Sequence, residues 1–302
     1  MVTLTHIPSY APFIATCEEC GDVKYFSMDE DGIDVDRIIS AINSNIDVLL
    51  LTGDLNPIGK TISGEDLEKI SKVCLEQSVY FIYDRAGRKN GLNDYEAFQI
   101  HEKAIIMESM SKKISVPGMK IGYFLAEKEF IDDFYEYAST YYGGPISFFY
   151  LLLEFDSMFT AYYLEGKEKI TEEDILYYED TYDLNVEWLQ ASYENYVNSL
   201  EFNHRIIEMQ REICCIILAK TPRVKKIIKP KTGVNVFVLI DYDKTSYQFY
   251  EELIQSKGVA IFPGICCGLD KGCWIRITIS GEYSKLVKGV RLISDFLSEK
   301  DK

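Results

Sequence analysis

The sequence predicts an α/β fold, with a mostly parallel sheet covered by helices and a smaller α+β domain after it. Three observations carry this. Short, almost uninterrupted apolar runs recur, such as IDVLLLT at 46–52, the pattern of a strand buried on both faces. Such runs alternate with helical periodicities up to about residue 126, as in a doubly wound layer. Beyond residue 220 the order changes to short strands with two amphipathic helices.

Residues 2–6 are rich in β-formers and stop at Pro8. A second short strand is expected at 24–28. Between them Cys17 and Cys20 form a C-x-x-C, expected on a surface hairpin because no second pair or thioredoxin-like context accompanies it. Residues 36–43 form an amphipathic helix with Ile38, Ile39 and Ile42 on one side. The 46–52 strand runs into GDLNPIGKTIS, a loop rich in turn residues. A helix at 63–77 follows, with Ser63 as its cap and Glu65 and Asp66 at its positive end. Further strands are expected at 80–83, ending at Asp84, then at 104–109 and 122–126.

From residue 130 to about 220 the chain reads as helical and aromatic-rich. Tyr137, Tyr141 and Tyr142 precede a Gly143-Gly144-Pro145 break, and Ser147 caps a helix carrying Phe149, Leu152, Leu153 and Phe159. The aromatic band at 135–155 is expected in a core or a subunit interface. The acidic stretch 168–183 reads as a solvated insertion. Strands at 223–228, 234–240, 259–262 and 274–279 and helices at 246–255 and 282–297 complete the chain. The expected division is 1–197 for the large domain with its helical insertion and 198–302 for the small α+β domain.

A chain of 302 residues can bury the interiors of two domains. Its 32 basic and 48 acidic residues give a net charge of −16, which argues against nucleic acid or anionic membrane as partners. The N-terminus has no signal-peptide pattern, and the apolar run at 146–155 is too short to span a bilayer. Eight cysteines, including the adjacent pairs Cys214-Cys215 and Cys266-Cys267, fit a reducing compartment, so a cytoplasmic location without a metal site is expected.

Four features invite a chemical reading. Asn56 lies in NPIG after a buried strand. Asp84 ends another. Lys112 follows S-x-S where an apolar strand runs into a Pro-Gly turn (IIMESMSKKISVPGMKIGYF, 105–124). Arg276 sits inside an otherwise apolar strand. Alone, each has a structural explanation: a turn former, a helix cap, a surface lysine, a structural ion pair. Open α/β sheets nevertheless bind ligands at the carboxyl ends of their strands, where three of the four fall. No G-x-G-x-x-G follows a strand, which counts against nicotinamide binding.

Taken in order, these blocks resemble the class I/II aminotransferases, the fold-type I pyridoxal-phosphate enzymes. IPSYAPF is similar to the family's P-x-Y-x-x-Y, NPIG to its N-P-T-G and YDRAG to its D-E-x-Y. SMSKKISVPGMKIGY is similar to its S-x-S-K…P-G-x-R-x-G-Y, the most specific of the set. KPKTGVNVFVLID, then GVAIFPG and WIRITIS, continue the match. The resemblance implies pyridoxal 5'-phosphate as cofactor, an amino acid and a 2-oxo acid as substrates, and a homodimer. It implies that Lys112 forms the Schiff base and then moves protons. It places Asp84 on the pyridine nitrogen, Asn56 on the ring hydroxyl, and Ser109 and Lys120 on the phosphate. It gives Arg276 the substrate carboxylate, held in a bidentate fork.

Two positions depart from the pattern. The family's ring-hydroxyl tyrosine falls at Gly87, and its phosphate-binding arginine falls at Lys120. The family also carries roughly a hundred residues ahead of the P-x-Y block, a substantial part of a domain, among them a helix N-terminus that cradles phosphate. The expectation is therefore an N-terminally truncated large domain, with a second chain as one possible source of the rest. A degenerate binding or scaffold subunit, and a decarboxylase, lyase or oxidase on the same cofactor, stay open at this point.

Overall fold

The apolar runs at the centre of the first sheet become buried strands, whereas its two edge strands keep residues exposed to water. A computed structural model describes residues 1–28, 33–87, 98–113, 116–143, 148–176, 185–231 and 233–300, without the side chains of 117 and 148. The strands are β1 (Val2–Ile7), β2 (Asp22–Ser27), β3 (Val48–Thr52), β4 (Tyr80–Asp84), β5 (Ala104–Ser109) and β6 (Gly122–Leu125). Their order is β2-β1-β3-β4-β5-β6, all parallel except β6, which runs antiparallel to β5. Leu49, Leu50 and Leu51 of β3 are all buried, as the unbroken apolar run predicts.

Helices α1 (Ala11–Cys20), α2 (Val35–Ala41) and α3 (Gly64–Glu76) connect these strands. Helix α1 replaces the predicted surface hairpin. Pro12 suits a first helical turn, and the C-x-x-C then lies on one helix with Cys17 buried and Cys20 exposed. Helix α3 starts as predicted, with the Ser63 hydroxyl accepting from the Asp66 N–H at 3.1 Å. Ile38, Leu67, Ile70 and Phe81 belong to one core with Leu49 and Leu51 of β3.

The second sheet holds β7 (Val224–Ile228), β8 (Asn235–Ile240), β9 (Phe262–Pro263) and β10 (Cys273–Thr278), in the antiparallel order β7-β8-β10-β9. Along β10, Cys273, Ile275 and Ile277 are buried, while Trp274 and Arg276 alternate onto the other face. Trp274 stacks on Phe237 there at 4.8 Å. The predicted strand at 259–262 shrinks to Phe262–Pro263, because residues 259–261 find no ladder partner among the described residues.

Helix α4 (Met110–Lys113) lies between β5 and β6, and α5 (Lys128–Tyr141) and α6 (Phe148–Leu164) follow β6. The long α7 (Val186–Ala219) follows, α8 (Ser246–Lys257) lies between β8 and β9, and α9 (Tyr283–Glu299) follows β10. Helix α8 opens with a reciprocal Thr245/Gln248 capping box and ends at Gly258, whose φ of 66° is the left-handed C-cap conformation. Ile207, Cys214 and Leu218 of α7 join α8 and α9 in the core of this sheet.

The described residues fall into two compact units. One comprises Met1–Lys89, Glu96–Asp133 and Ile207–Lys302 and contains both sheets; the other is built on Phe134–Ile206. The second unit has its own core of Met158, Phe159, Ile170, Ile175, Leu189 and Tyr193. The described part of the acidic stretch is therefore anchored by Ile170 and Ile175 rather than wholly solvated. Ser147 and residues 177–183 lie outside the described residues. Tyr137, Tyr141 and Tyr142 are 52%, 68% and 77% exposed, so they are not core within this chain. Among the described residues no helix is long and apolar enough to cross a membrane.

Candidate active site

Parallel pairing delivers the carboxyl ends of β1, β3, β4 and β5 to one edge of the first sheet. His6, Thr52, Asp84 and Ser109 stand there, with Thr52 and Asp84 direct register partners. Asp84 is buried, and its carboxylate accepts the Ala86 N–H at 2.8 Å. Burial pushes its carboxyl up to about 6. The Ala86 hydrogen bond opposes this, Asp54 and Glu108 add to it, and Lys112 pulls it back. A buried acid with so little compensation favours a cation beside it.

Lys112 reaches the same place from β5. Met110 is fully buried and donates its N–H to the Ile121 carbonyl at 3.1 Å, while the Ser111 N–H donates to the Ser109 hydroxyl at 3.2 Å. These bonds fold residues 110–113 into a single turn, α4. The Lys112 Nζ then lies 3.5 Å from the Ala86 carbonyl, at the long limit of a hydrogen bond. The Ser109 hydroxyl also points at the Ile121 carbonyl, at 3.5 Å. Lys120 precedes Ile121, exposed and left-handed at φ 54°.

Arg276 comes from the second sheet. Its NH1 donates to Asn56 Oδ1 at 3.4 Å, and the guanidinium lies over the Phe262 ring at 4.2 Å. Its Nε is buried and has no hydrogen-bond partner among the described residues. Asn56 is held by its own N–H, which donates to the Thr52 hydroxyl at 3.1 Å, and by the buried Leu55 before it at φ 41°. Asp84 and Lys112 thus share the Ala86 segment, Asn56 contacts Arg276, and Ser109 and Lys120 flank Ile121.

Two residues at this edge were not anticipated. His6 is fully buried, with Nδ1 at 2.7 Å from the Pro8 carbonyl and Nε2 at 3.0 Å from the Thr52 hydroxyl. A carbonyl only accepts, so Nδ1 carries the proton and Nε2 accepts from Thr52. Thr52 in turn accepts from Asn56, so His6 orients Asn56 through one hydroxyl. Burial lowers the imidazole pKa to about 4. A depressed folded value means stability is present above the ordinary 6.5 and is lost as pH falls toward about 4. Asp84 titrates with the opposite sign over an overlapping range, so the diagnostic is the difference between wild type and His6→Gln. Chemical denaturation should show wild type losing about 2 kcal/mol relative to the variant between pH 7 and 4.5. Parallel pH curves would refute this.

Asp54 is the other. A Cβ on Gly87 would lie 2.6 Å from its carboxylate oxygens, and one on Gly233 would lie 2.8 Å away. The space beside Gly87 is thus already filled by a buried carboxylate. Gly87→Ala is expected to destabilise by about 1–3 kcal/mol in thermal unfolding. Asp54→Ala in the same chain should recover most of that loss; additive losses would show that the contact is not the cause. Neither Asp54 nor His6 belongs to a local motif, so sequence offered no signal for either.

Comparison with known proteins bears on what this edge does. The profile of the family described as aminotransferase class I and II matches residues 2–154 and 183–292. A histidinol-phosphate aminotransferase of Buchnera aphidicola is 33% identical over 118 residues, which are 38% of this chain and 32% of that protein. Aromatic-amino-acid aminotransferase 2 of Thermococcus litoralis is 22% identical over 97% of this chain and 68% of its own length. The crystal structure of an aromatic aminotransferase from Pyrococcus horikoshii superposes with a TM-score of 0.75 at 17% identity, over 99% of this chain and 73% of that one. The fold is therefore that of the fold-type I enzymes. The first relatives are matched over about a third of their length.

Proposed function

The chain belongs to the class I and II aminotransferase family, and from that premise we propose that it binds pyridoxal phosphate and moves an amino group between an amino acid and a 2-oxo acid. The observation that carries the proposal is Asp84, a buried carboxylate whose burial raises its pKa, with the Lys112 charge acting on it. Such an acid suits a group that brings a cationic ring nitrogen to it. Among the described residues the buried Nε of Arg276 has no partner, which suits a carboxylate, and the amine of Lys112 has one long hydrogen bond to give up. The residues present therefore fit the cofactor.

When bound, pyridoxal phosphate acts as the electron sink for the substrate's α-carbon. The chain's own residues supply the rest. Lys112 holds the cofactor by its amine and carries a proton to and from the α-carbon. Asp84 keeps a proton on the ring nitrogen. Asn56 keeps its Oδ1 toward Arg276 and offers its amide N–H to the ring oxygen. Arg276 takes the substrate carboxylate in a fork that lysine could not supply. Ser109 and Lys120 take the phosphate.

The same reading assigns 1–197 to the cofactor domain and 198–302 to the small domain, with a homodimer working in the cytoplasm. The test is to add pyridoxal phosphate, seek a visible absorption band, reduce with borohydride and map the label. A label on Lys112 is expected. No band with any candidate partner chain present would overturn the proposal.

A further inference from the structure

Arg85 and Glu108 form an ion pair whose side chains are only 3% and 9% exposed. They stand one residue after Asp84 and four residues before Lys112, yet the chemistry assigned to the site gives them no role. Replacing a buried ion pair by apolar side chains of similar volume is often neutral or stabilising, so stability alone gives little reason to keep this one. Its position gives another.

Asp84 and Met107 are the last register partners of β4 and β5, and the Arg85 N–H extends the ladder to the Met107 carbonyl at 2.9 Å. Side chains alternate along a strand, so Glu108 leaves the sheet on the face opposite Asp84, and Arg85 meets it there. The pair thus ties β5 to the chain just beyond Asp84, where it turns into Ala86. Ala86 is what the acid and the amine share. Its N–H donates to the Asp84 carboxylate at 2.8 Å, and its carbonyl accepts from Lys112 Nζ at 3.5 Å. A carboxylate and an ammonium gain more from direct contact than either gains from a neutral partner. Here each rests on Ala86 instead, and the Lys112 charge acts on Asp84 from a distance.

We propose that Arg85 and Glu108 are positioning residues, whose ion pair clamps Ala86 between Asp84 and Lys112 so that acid and amine stay apart and open to the cofactor. The inference rests on the functional reading above for the roles of those two groups. Without the clamp, the Lys112 amine closes onto the Asp84 carboxylate, and the cofactor has to break that contact before it can bind.

The test follows the Asp84 carboxyl by carbon-13 NMR in the cofactor-free chain and asks how far Lys112→Ala moves its titration. Asp54 and Glu108 also act on Asp84, but each is the same within any pair of variants compared, so their effects cancel. In the wild-type background the move should be small, because the amine rests on Ala86. In Arg85→Met with Glu108→Leu, which removes both charges, it should be larger by about one pH unit, a tenfold stronger coupling. That double variant should melt close to wild type. Its visible band on adding pyridoxal phosphate should grow roughly tenfold more slowly, since the same coupling must be broken first. An equal move in both backgrounds, equal growth of the band, or a double variant that melts far below wild type would each overturn the proposal and make the pair structural. The titration needs no cofactor. A wild type without a band would therefore sink the functional reading alone, and equal moves beside a normal band would sink this one alone.

Discussion

Lys112→Ala is expected to abolish the visible cofactor band and to lower amino-group transfer by about 10²–10⁴-fold or more, the range a positioned proton-transfer group supplies. The loss should be chemical rather than structural. Lys112 is half-buried, its one hydrogen bond among the described residues is at 3.5 Å, and the turn that carries it is held by Met110 and by the Ser109–Ser111 bond. Thermal stability should therefore change little. Lys113→Ala, one residue on, should keep the band. A small primary amine added to Lys112→Ala should restore part of the activity, because it replaces the proton carrier without replacing the scaffold. Removing the cation should also raise the Asp84 carboxyl further, since Lys112 now lowers it. Retention of the band in Lys112→Ala, or its loss in Lys113→Ala alone, would show that the amine has been misassigned.

Much of this arrangement is legible in the sequence, for reasons that differ from residue to residue. Strands β3, β4 and β5 are buried by helices, and such burial produces contiguous apolar runs whose last polar residue marks the ligand edge. Asp84 is found that way, while Ser109 is singled out by the S-x-S-K resemblance. Arg276 stands out because β10 is otherwise apolar, but its contact with Asn56, 220 residues away, is a tertiary fact. His6 and Asp54 do their work through partners brought together only by folding, His6 with Thr52 across 46 residues and Asp54 against Gly87 and Gly233. A local motif cannot register either. Helix α1 is weakly marked in the sequence, because Pro12 signals its start but no side chain caps it. The predicted strand at 259–262 has a strand's composition, but a ladder needs a neighbour, and β10 supplies one only at Phe262 and Pro263.

Asp84→Asn should separate stability from function. The folded carboxyl titrates near 6, above its ordinary 3.8, because burial penalises the charge. A raised value means that its contribution to stability is fully present below about 4 and is lost as pH rises through about 6. Above that window the bare carboxylate costs the cofactor-free fold on the order of 2–3 kcal/mol. Asparagine keeps an oxygen for the Ala86 N–H and carries no charge. The variant, free of cofactor at pH 8, should thus be more stable than wild type by up to about 2 kcal/mol, and its stability should be flatter between pH 4 and 6. Cofactor affinity should move the other way. Truncating one partner of a buried charge pair costs about 2–5 kcal/mol, so binding should weaken by roughly 30-fold or more. A side chain that destabilises the empty fold and tightens the filled one is a mark of a binding site. Denaturation midpoints at pH 5 and pH 8, with and without pyridoxal phosphate, measure both effects in one experiment. If Asp84→Asn proves less stable than wild type at pH 8, Asp84 is a structural acid with a partner of its own. A stability gain with unchanged cofactor affinity would mean that the ring nitrogen is met by some other residue.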